Sequence, residues 1–568
     1  MTETFNLIDR PWLTCSIDGT TRNLSLREVF EQLPRIHRVS GDSPPQSYAL
    51  LRLLEVIFWR AYRSDSRLTG TEKDLEGWWE DMFYASASDH PDDHQEMITP
   101  VLAYLEEHRE RFDLLDPAAP FMQVADLHTS KDSRSPVRRI IPDAEIDYMT
   151  LRAGAGLDSL SYAEAARHLV ALQSWDYSGI KSGAVGDPRV KGGKGYPIGT
   201  GWTGRTGGVV LHGQNLAQTL VLNTVPAAVF TDQMYADLPV WEQEPQGAAP
   251  RGTEFPAGPC DVLTWQSRRV RLFPENGVIT SALVSNGDRI ELKNQFADPM
   301  TGYRWSRNQS TKDRVVHMPG AHSPERTLWR GLQALLVREG VVSLKKGEHL
   351  ALQPKTVEAL RRHQLRGESE DLSRVRIGVE LVGIIYGTND SIIEDTIHEE
   401  IPLNLGILLD SSERSAALII AAADATVQAA VALGQFAGKL EQASGGDYVF
   451  RTEAADGALQ ELGEQMRRWL EDLTPGSDAE AMKVRWFRDV ESTLLFHAAE
   501  LRRGAGRKAE IGRIKDDGEL VTAAVAENIF RSRLRKILPH LREDSESQAV
   551  SDASTHGNHP DDPQQIGA

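Results

Sequence analysis

Cysteine is almost missing from this chain: Cys15 and Cys260 are the only two in 568 residues. Two thiols cannot build a disulfide framework or a thiolate zinc site, and such scarcity fits a reducing cytoplasm. Long apolar runs are missing as well. No stretch of 18 apolar residues occurs, so no membrane span is expected. The opening MTETFNLIDRPWL has neither a basic n-region nor an apolar h-region, so no secretory signal is expected. Positive charge is in deficit, with 63 Lys and Arg against 82 Asp and Glu, a net charge of −19. That balance disfavours non-specific nucleic-acid binding but leaves room for a local basic site. Catalytic signatures are missing too: the chain has no H-E-x-x-H, no G-x-S-x-G and no P-loop. No cofactor or metal is expected, and an enzyme is the less favoured class.

What the chain has in excess is glycine in one place. Residues 179–208 read GIKSGAVGDPRVKGGKGYPIGTGWTGRTGG, with 11 glycines in 30 residues. The charges there are Lys181, Arg189, Lys191, Lys194 and Arg205 against Asp187 alone. That much glycine costs conformational entropy and usually serves close backbone approach, often to an anion. GTGWTG at 199–204 matches G-x-G-x-x-G, but the following RTGGVV does not start a helix well, so the dinucleotide reading lacks its context.

The rest is an ordinary globular composition, 40% hydrophobic and 26% charged. An edge strand is expected at FNLIDRPWLTC because of Pro11, then a helix over 25–32 capped by Ser25. Further helices are expected over 47–62, 74–84, 99–111 (Thr99 as cap, Pro100 first) and 162–173. DHPDDH at 89–94 reads as a solvated loop rather than a metal site. Residues 113–124 read as a turn and a short strand. The segment 125–160 reads as a long loop carrying Lys131, Arg134, Arg138 and Arg139. Residues 209–224 start as a strand and turn helical, and 240–260 read as linker. Residues 264–292 read as an antiparallel sheet with turns at Asn276-Gly277 and Asn286-Gly287. Helices over 324–337 and 356–366 and a strand over 374–383 follow. Thr388–Ser391 reads, on its own, as a turn before a helix capped by Asp390 or Ser391. From about 405 the pattern becomes helical over 411–442, 449–473, 478–503 and 518–540, which predicts a bundle. Its last helix carries Arg531, Arg533, Arg535 and Lys536, either a solvated face or a ridge for an acidic partner or nucleic acid. The fold class is therefore α+β: a mixed α/β domain over 1–400 with small antiparallel sheets, a four-helix bundle over 401–540, and a disordered tail over 541–568.

An ordered set of segments resembles a known family. They are FNLIDRPWL (5–13), DMFY (81–84), DPAAPFMQ (116–123), the glycine-rich stretch with LVLNT (220–224), TWQSRRVRL (264–272), DPMTGYRW (298–305), TLWRGLQALL (327–336) and the closing IFRSRLRKILPHL. The set is similar to CasA proteins, the large subunits of the type I-E CRISPR surveillance complex Cascade. The resemblance implies a non-catalytic subunit whose partners are the other Cascade subunits, the guide RNA, double-stranded target DNA and an effector helicase–nuclease. It implies recognition of a short protospacer-adjacent motif (PAM) from the minor groove, and duplex opening. The family's glycine loop falls on Gly199, Thr200 and Gly201. Its wedge falls on Asn389, Asp390 and Ser391, with Asp390 where a glutamine is usual. Its lysine finger falls on Lys293 or Gln295. Arg134, Arg138, Arg139, Lys191, Lys194, Arg531 and Arg535 are candidate phosphate contacts. The alternative is a glycine-loop enzyme that binds a nucleotide or phosphorylated substrate.

Overall fold

Residues 44–62 present almost no polar face, and a helix that is apolar all round belongs in a core. In the computed structural model the 19-residue helix Pro44–Tyr62 is buried along nearly its whole length, and the Ser43 side chain caps it by accepting from the Gln46 N–H. The structure describes residues 3–88, 90–142, 152, 154–230, 234–320, 322, 327–336, 348–362, 375–409, 414–474, 476–515 and 518–539. The chain forms two units, Met1–Glu413 and Arg414–Ala568.

In the first unit, helices Pro91–Glu107, Tyr162–Trp175 and Leu216–Asn223 pack on the central helix. The charges that the helix carries inward are paired. Arg52 meets Asp298 at 2.8 Å with both side chains fully buried, and Arg60 meets Glu242 at 2.5 Å. Trp202 Nε1 also donates to Asp298, at 2.8 Å. Two antiparallel sheets flank this core. One runs in the order Ile393–Asn404, Arg376–Tyr386, Gly208–His212. The other pairs Arg268–Glu275 with Val278–Asn286 through an Asn276-Gly277 turn whose φ values are 52° and 81°. Positive φ at both positions is what a two-residue hairpin turn demands.

Several expectations are corrected. The N-terminal strand Leu13–Ile17 is central, flanked by Thr20–Leu24 and Ile36–Val39, and it begins only beyond Pro11. The helix expected to start at Thr99 starts at Pro91 and passes through Pro100. The carbonyl that Pro100 cannot bond belongs to Glu96, which is exposed. The described part of that motif, residues 90–94, therefore supplies a helix start, with Asp92 and Asp93 in the first turn. Residues 113–124 form turns rather than a strand, held by the Asp113 and Asp116 carboxylates. The stretch 240–260 is packed rather than a linker: Trp241 is buried and Arg251 pairs with Asp261 at 2.7 Å. Asn286-Gly287 ends a strand and makes no second hairpin. In the segment 125–160 the described residues include Ser135–Pro136 paired to the second sheet, a 3-10 turn at Val137–Ile140 and a short helix at Ala155–Asp158.

The second unit is the expected bundle: Arg414–Ala443, Thr452–Asp472, Ala479–Ile511 and Ala523–Ile537, with the first packed on the other three. Gly506, at φ 69°, breaks the third helix near its end. Arg414–Ala443 is apolar enough to cross a membrane by composition, but 67% of its most apolar window is buried inside the bundle. Glycine on this helix admits a close neighbour: a Cβ at Gly438 would lie 2.2 Å from the Val449 carbonyl oxygen. The expected tail, 541–568, lies outside the described residues.

Arg52→Met should destabilise the first unit by about 3–5 kcal/mol, because it strands the Asp298 carboxylate in the core. Adding Asp298→Asn should recover part of that loss. Denaturant midpoints test this, and a cost below ~1 kcal/mol, the scale of an exposed pair, would refute it.

Candidate nucleic-acid interface

Helix Tyr162–Trp175 ends at Asp176, and the chain turns sharply there into the glycine-rich stretch. The Asp176 carboxylate is buried and meets three cations. Arg139 Nη1 lies at 3.0 Å, Arg268 Nε at 2.5 Å and Lys181 Nζ at 3.1 Å. Although burial opposes its ionisation, the charges of Arg139, Arg268 and Lys181 hold this carboxyl well below the usual carboxylate range. Burial pushes Lys181 down to about 7, the neighbouring arginines add to that, and Asp176 opposes it. The Lys181 ammonium also sits 3.8 Å from the centre of the Tyr177 ring.

This cluster fixes the glycine loop. Arg268 Nη2 donates to the carbonyls of Gly199 at 2.8 Å and Tyr177 at 2.9 Å. The Gly201 N–H donates to the Asp176 carbonyl at 2.9 Å. A Cβ at Gly201 would lie 2.3 Å from the Ser174 carbonyl oxygen, so this glycine is required by internal packing. Gly201 is buried, while Gly199 and Thr200 are half-buried. Gly201 opens a five-residue helix, Trp202–Thr206, where none was expected, and Gly207 at φ 63° closes it. No strand of more than two residues precedes the motif among the described residues of the stretch, so the dinucleotide reading still lacks its context.

The expected wedge is the turn of a long hairpin, with strand Ile393–Asn404 after it in place of the expected helix. Asn389 and Asp390 have φ values of 58° and 54°, a conformation that Asn and Asp tolerate better than other L residues. The same segment that carries Asp176 holds this turn. The Ser178 N–H donates to the Asp390 carbonyl at 2.7 Å, and the Tyr386 hydroxyl donates to the Trp175 carbonyl at 2.6 Å. Arg205 pairs with the Asp390 carboxylate at 2.7 Å. Asn389 is exposed, with no such partner for its side chain among the described residues; the half-buried Ser391 donates to the Thr388 carbonyl at 2.7 Å.

Of the two finger residues, Lys293 is exposed and Gln295 is buried, its amide oxygen accepting from the Ala297 N–H at 3.2 Å. The turn that presents Lys293 is stiff: Glu291 accepts from the Leu292 and Lys293 N–H groups, and Asn294 exchanges hydrogen bonds with His317. A cleft of about 290 Å³ is lined by Gly199 and Thr200, by Asn389 and Asp390, and by Asp288, Arg289, Ile290 and Leu292. Arg205 and Arg289 line it as well. Arg205 was legible only as one of five cations in the stretch, and Arg289 had no local signal.

The phosphate candidates divide. Arg139 is paired with Asp176, and its side chain is 14% exposed. Arg134 lies over the Phe273 ring at 3.8 Å, and Arg138 is exposed. Lys191 and Lys194 are exposed on a small glycine turn and do not line the cleft. In the second unit, Arg531 pairs with Glu527 at 2.8 Å and Arg535 donates to the Arg531 carbonyl. No group of three or more metal-ligating side chains occurs among the described residues.

Comparisons with known proteins are consistent over most of the length. The family described as CRISPR-associated protein Cse1 matches residues 6–495. A CasA/Cse1 protein of Thermus thermophilus is 29% identical over 429 residues, covering 73% of this chain and 74% of that one. The crystal structure of Thermobifida fusca Cse1 superposes with a TM-score of 0.81 at 36% identity, over 94% of this chain and 98% of the other. A chain of a structure titled CRISPR RNA-guided surveillance complex shares the fold, with a TM-score of 0.60 at 20% identity over 88% of this chain and 99% of that one.

Two outcomes follow from the cluster. Between about pH 7 and 10.5 the folded chain holds fewer protons on Lys181 than the unfolded chain does. Stability on its account therefore rises with pH through that window, and below it the full burial penalty stands. Lys181→Met should stabilise most near neutral pH and below, with the advantage fading as pH rises; a pH-independent shift in urea midpoint would refute this. Gly201→Ala should destabilise the fold by about 1–3 kcal/mol through overpacking, whereas Thr200→Ala should leave the melting temperature nearly unchanged.

Proposed function

Because the chain belongs to the CRISPR-associated Cse1 family, the large subunits of the type I-E Cascade complex, we propose that it is the subunit that reads the PAM of double-stranded target DNA. The observation that supports this reading is the convergence of three separated segments on one cleft: Gly199–Thr200, Asn389–Asp390, and Asp288, Arg289, Ile290 and Leu292, the segment just before Lys293. Their residue types suit a minor groove. That groove is only about 6 Å wide and offers a degenerate donor and acceptor code. Gly199 brings backbone where side chains would not fit, Lys293 brings one long flexible cation, and Asn389 brings an amide that can both donate and accept.

The stiff hairpin turn then serves as the wedge that parts the first base pairs. Unstacking a step costs a few kcal/mol, which guide pairing offsets as the R-loop grows. Asn389 is the presented tip, because the Asp390 carboxylate is already committed to Arg205. The subunit acts by binding and by shape, without catalysis of its own. It works beside the other Cascade subunits and the guide RNA, and it offers the docking surface for the effector helicase–nuclease. No observation favours the glycine-loop enzyme, since Gly201 is spent on the Ser174 carbonyl rather than on a ligand.

The test is binding of reconstituted Cascade, with and without this chain, to duplexes with and without the motif. Lys293→Ala and Asn389→Ala should each weaken motif-dependent binding by about tenfold, the scale of one groove contact. Wild-type binding by both variants would overturn the assignment of finger and tip.

A further inference from the structure

Arg205 occupies an unusual position. Its guanidinium bridges the glycine loop and the hairpin turn, which are far apart in sequence. Nη1 lies 2.7 Å from Asp390 Oδ2, and both side chains are about one-third exposed. On the other side, a Cβ placed on Gly199 would come within 3.0 Å of Arg205 Nη2. Gly199 also has φ 105°, a value that L residues rarely adopt. The absence of a side chain at 199 leaves room for the guanidinium beside the loop, where Arg205 lines the cleft.

The carboxylate at 390 takes on a different meaning in this setting. A lone carboxylate at the mouth of a site for a polyanion repels it. Paired with Arg205, it leaves the mouth neutral and fixes the direction of the guanidinium. The Asp390 backbone is itself anchored, through its carbonyl, to the Ser178 N–H. Of the five N–H donors of the guanidinium, this pair engages only part. An arginine that is already ordered, partly exposed and still rich in donors loses little entropy on taking up a phosphate oxygen. The exposed lysines of the glycine-rich stretch, Lys191 and Lys194, lack such support and lie outside the cleft.

We infer that Arg205 is a phosphate-contacting residue of this cleft, seated against Gly199 and aimed by Asp390, which acts as its positioning residue. The inference rests on the reading of the cleft as a duplex-DNA site, and it adds a contact that this reading does not require. It also replaces Lys191 and Lys194 as the backbone contact made by the glycine-rich stretch.

The experiment measures binding of reconstituted Cascade carrying this chain to a motif-bearing duplex across a salt series. Each phosphate contact contributes about 0.9 to the slope of log K against log salt on B-DNA. Arg205→Ala should lower the slope by about that amount and weaken binding on motif and non-motif duplexes alike, leaving their ratio nearly unchanged. Arg205→Lys keeps the charge and should restore most of the slope. Asp390→Asn should keep the slope, because the cation remains, while it speeds dissociation through loss of orientation. An unchanged slope in Arg205→Ala, or no recovery of slope in Arg205→Lys, would overturn the inference. If the wild-type chain confers no motif dependence, the cleft reading fails; if motif dependence is intact and the slope ignores residue 205, only the role of Arg205 fails.

Discussion

A single buried carboxylate organises the surface of interest. Asp176 closes helix Tyr162–Trp175 and gathers Arg139, Lys181 and Arg268 around itself. A buried carboxylate without partners would take up a proton, and three buried cations without a carboxylate would repel one another. Each side of the cluster makes the other tolerable. The arrangement still leaves an excess of positive charge in the interior, and Lys181 absorbs part of it through its lowered proton affinity. The backbone around the carboxylate is therefore specified by charge and cannot drift without exposing an unpaired ion.

That specification reaches outward through backbone carbonyls. Arg268 spends one donor on Asp176 and others on the carbonyls of Tyr177 and Gly199, so the glycine loop inherits the position of the cluster. Trp175 and Ser178, on either side of Asp176, hold the base and the turn of the Arg376–Asn404 hairpin. Loop and turn thus share one anchor. A flexible glycine segment would lose its ordering entropy on binding, and this loop has lost most of it on folding. The glycines remain because the geometry needs them at particular points. Gly201 admits the Ser174 carbonyl and Gly199 admits the Arg205 guanidinium.

Local chemistry made much of the fold legible. Ser25 announces a helix start, where it closes a capping box, and Asn276-Gly277 announces its hairpin. The bundle helices were visible from their periodicity. Errors arose where one residue type was allowed to decide. Pro100 marked a helix start, although a proline inside a helix is tolerated on an exposed face. Pro11 marked an edge strand, although the strand began beyond it. The site was legible as three segments only through family resemblance. Their convergence was not, because it depends on pairs such as Arg205 with Asp390 and Arg268 with Asp176, separated by long stretches of chain. Arg139 illustrates the cost: in sequence it is one of several loop cations, and in space it belongs to the interior.

The net charge of −19 becomes intelligible beside this local arrangement. On the proposed reading, the cations that line the cleft are Arg205 and Arg289, and Lys293 follows directly on its last lining segment. Two phosphate contacts would give a salt slope of about 1.8, so affinity would fall roughly 12-fold between 50 and 200 mM salt. That is too weak and too salt-sensitive to hold a duplex alone, and the acidic remainder of the surface weakens it further. Inside an assembly, the guide and the other subunits raise the effective concentration of the duplex at the cleft, and a weak contact becomes decisive without becoming promiscuous. The subunit's discrimination then rests on the shape of a stiff loop and a stiff turn. A site that must sample many duplexes and release nearly all of them is better served by rigid weak contacts than by a strong basic patch.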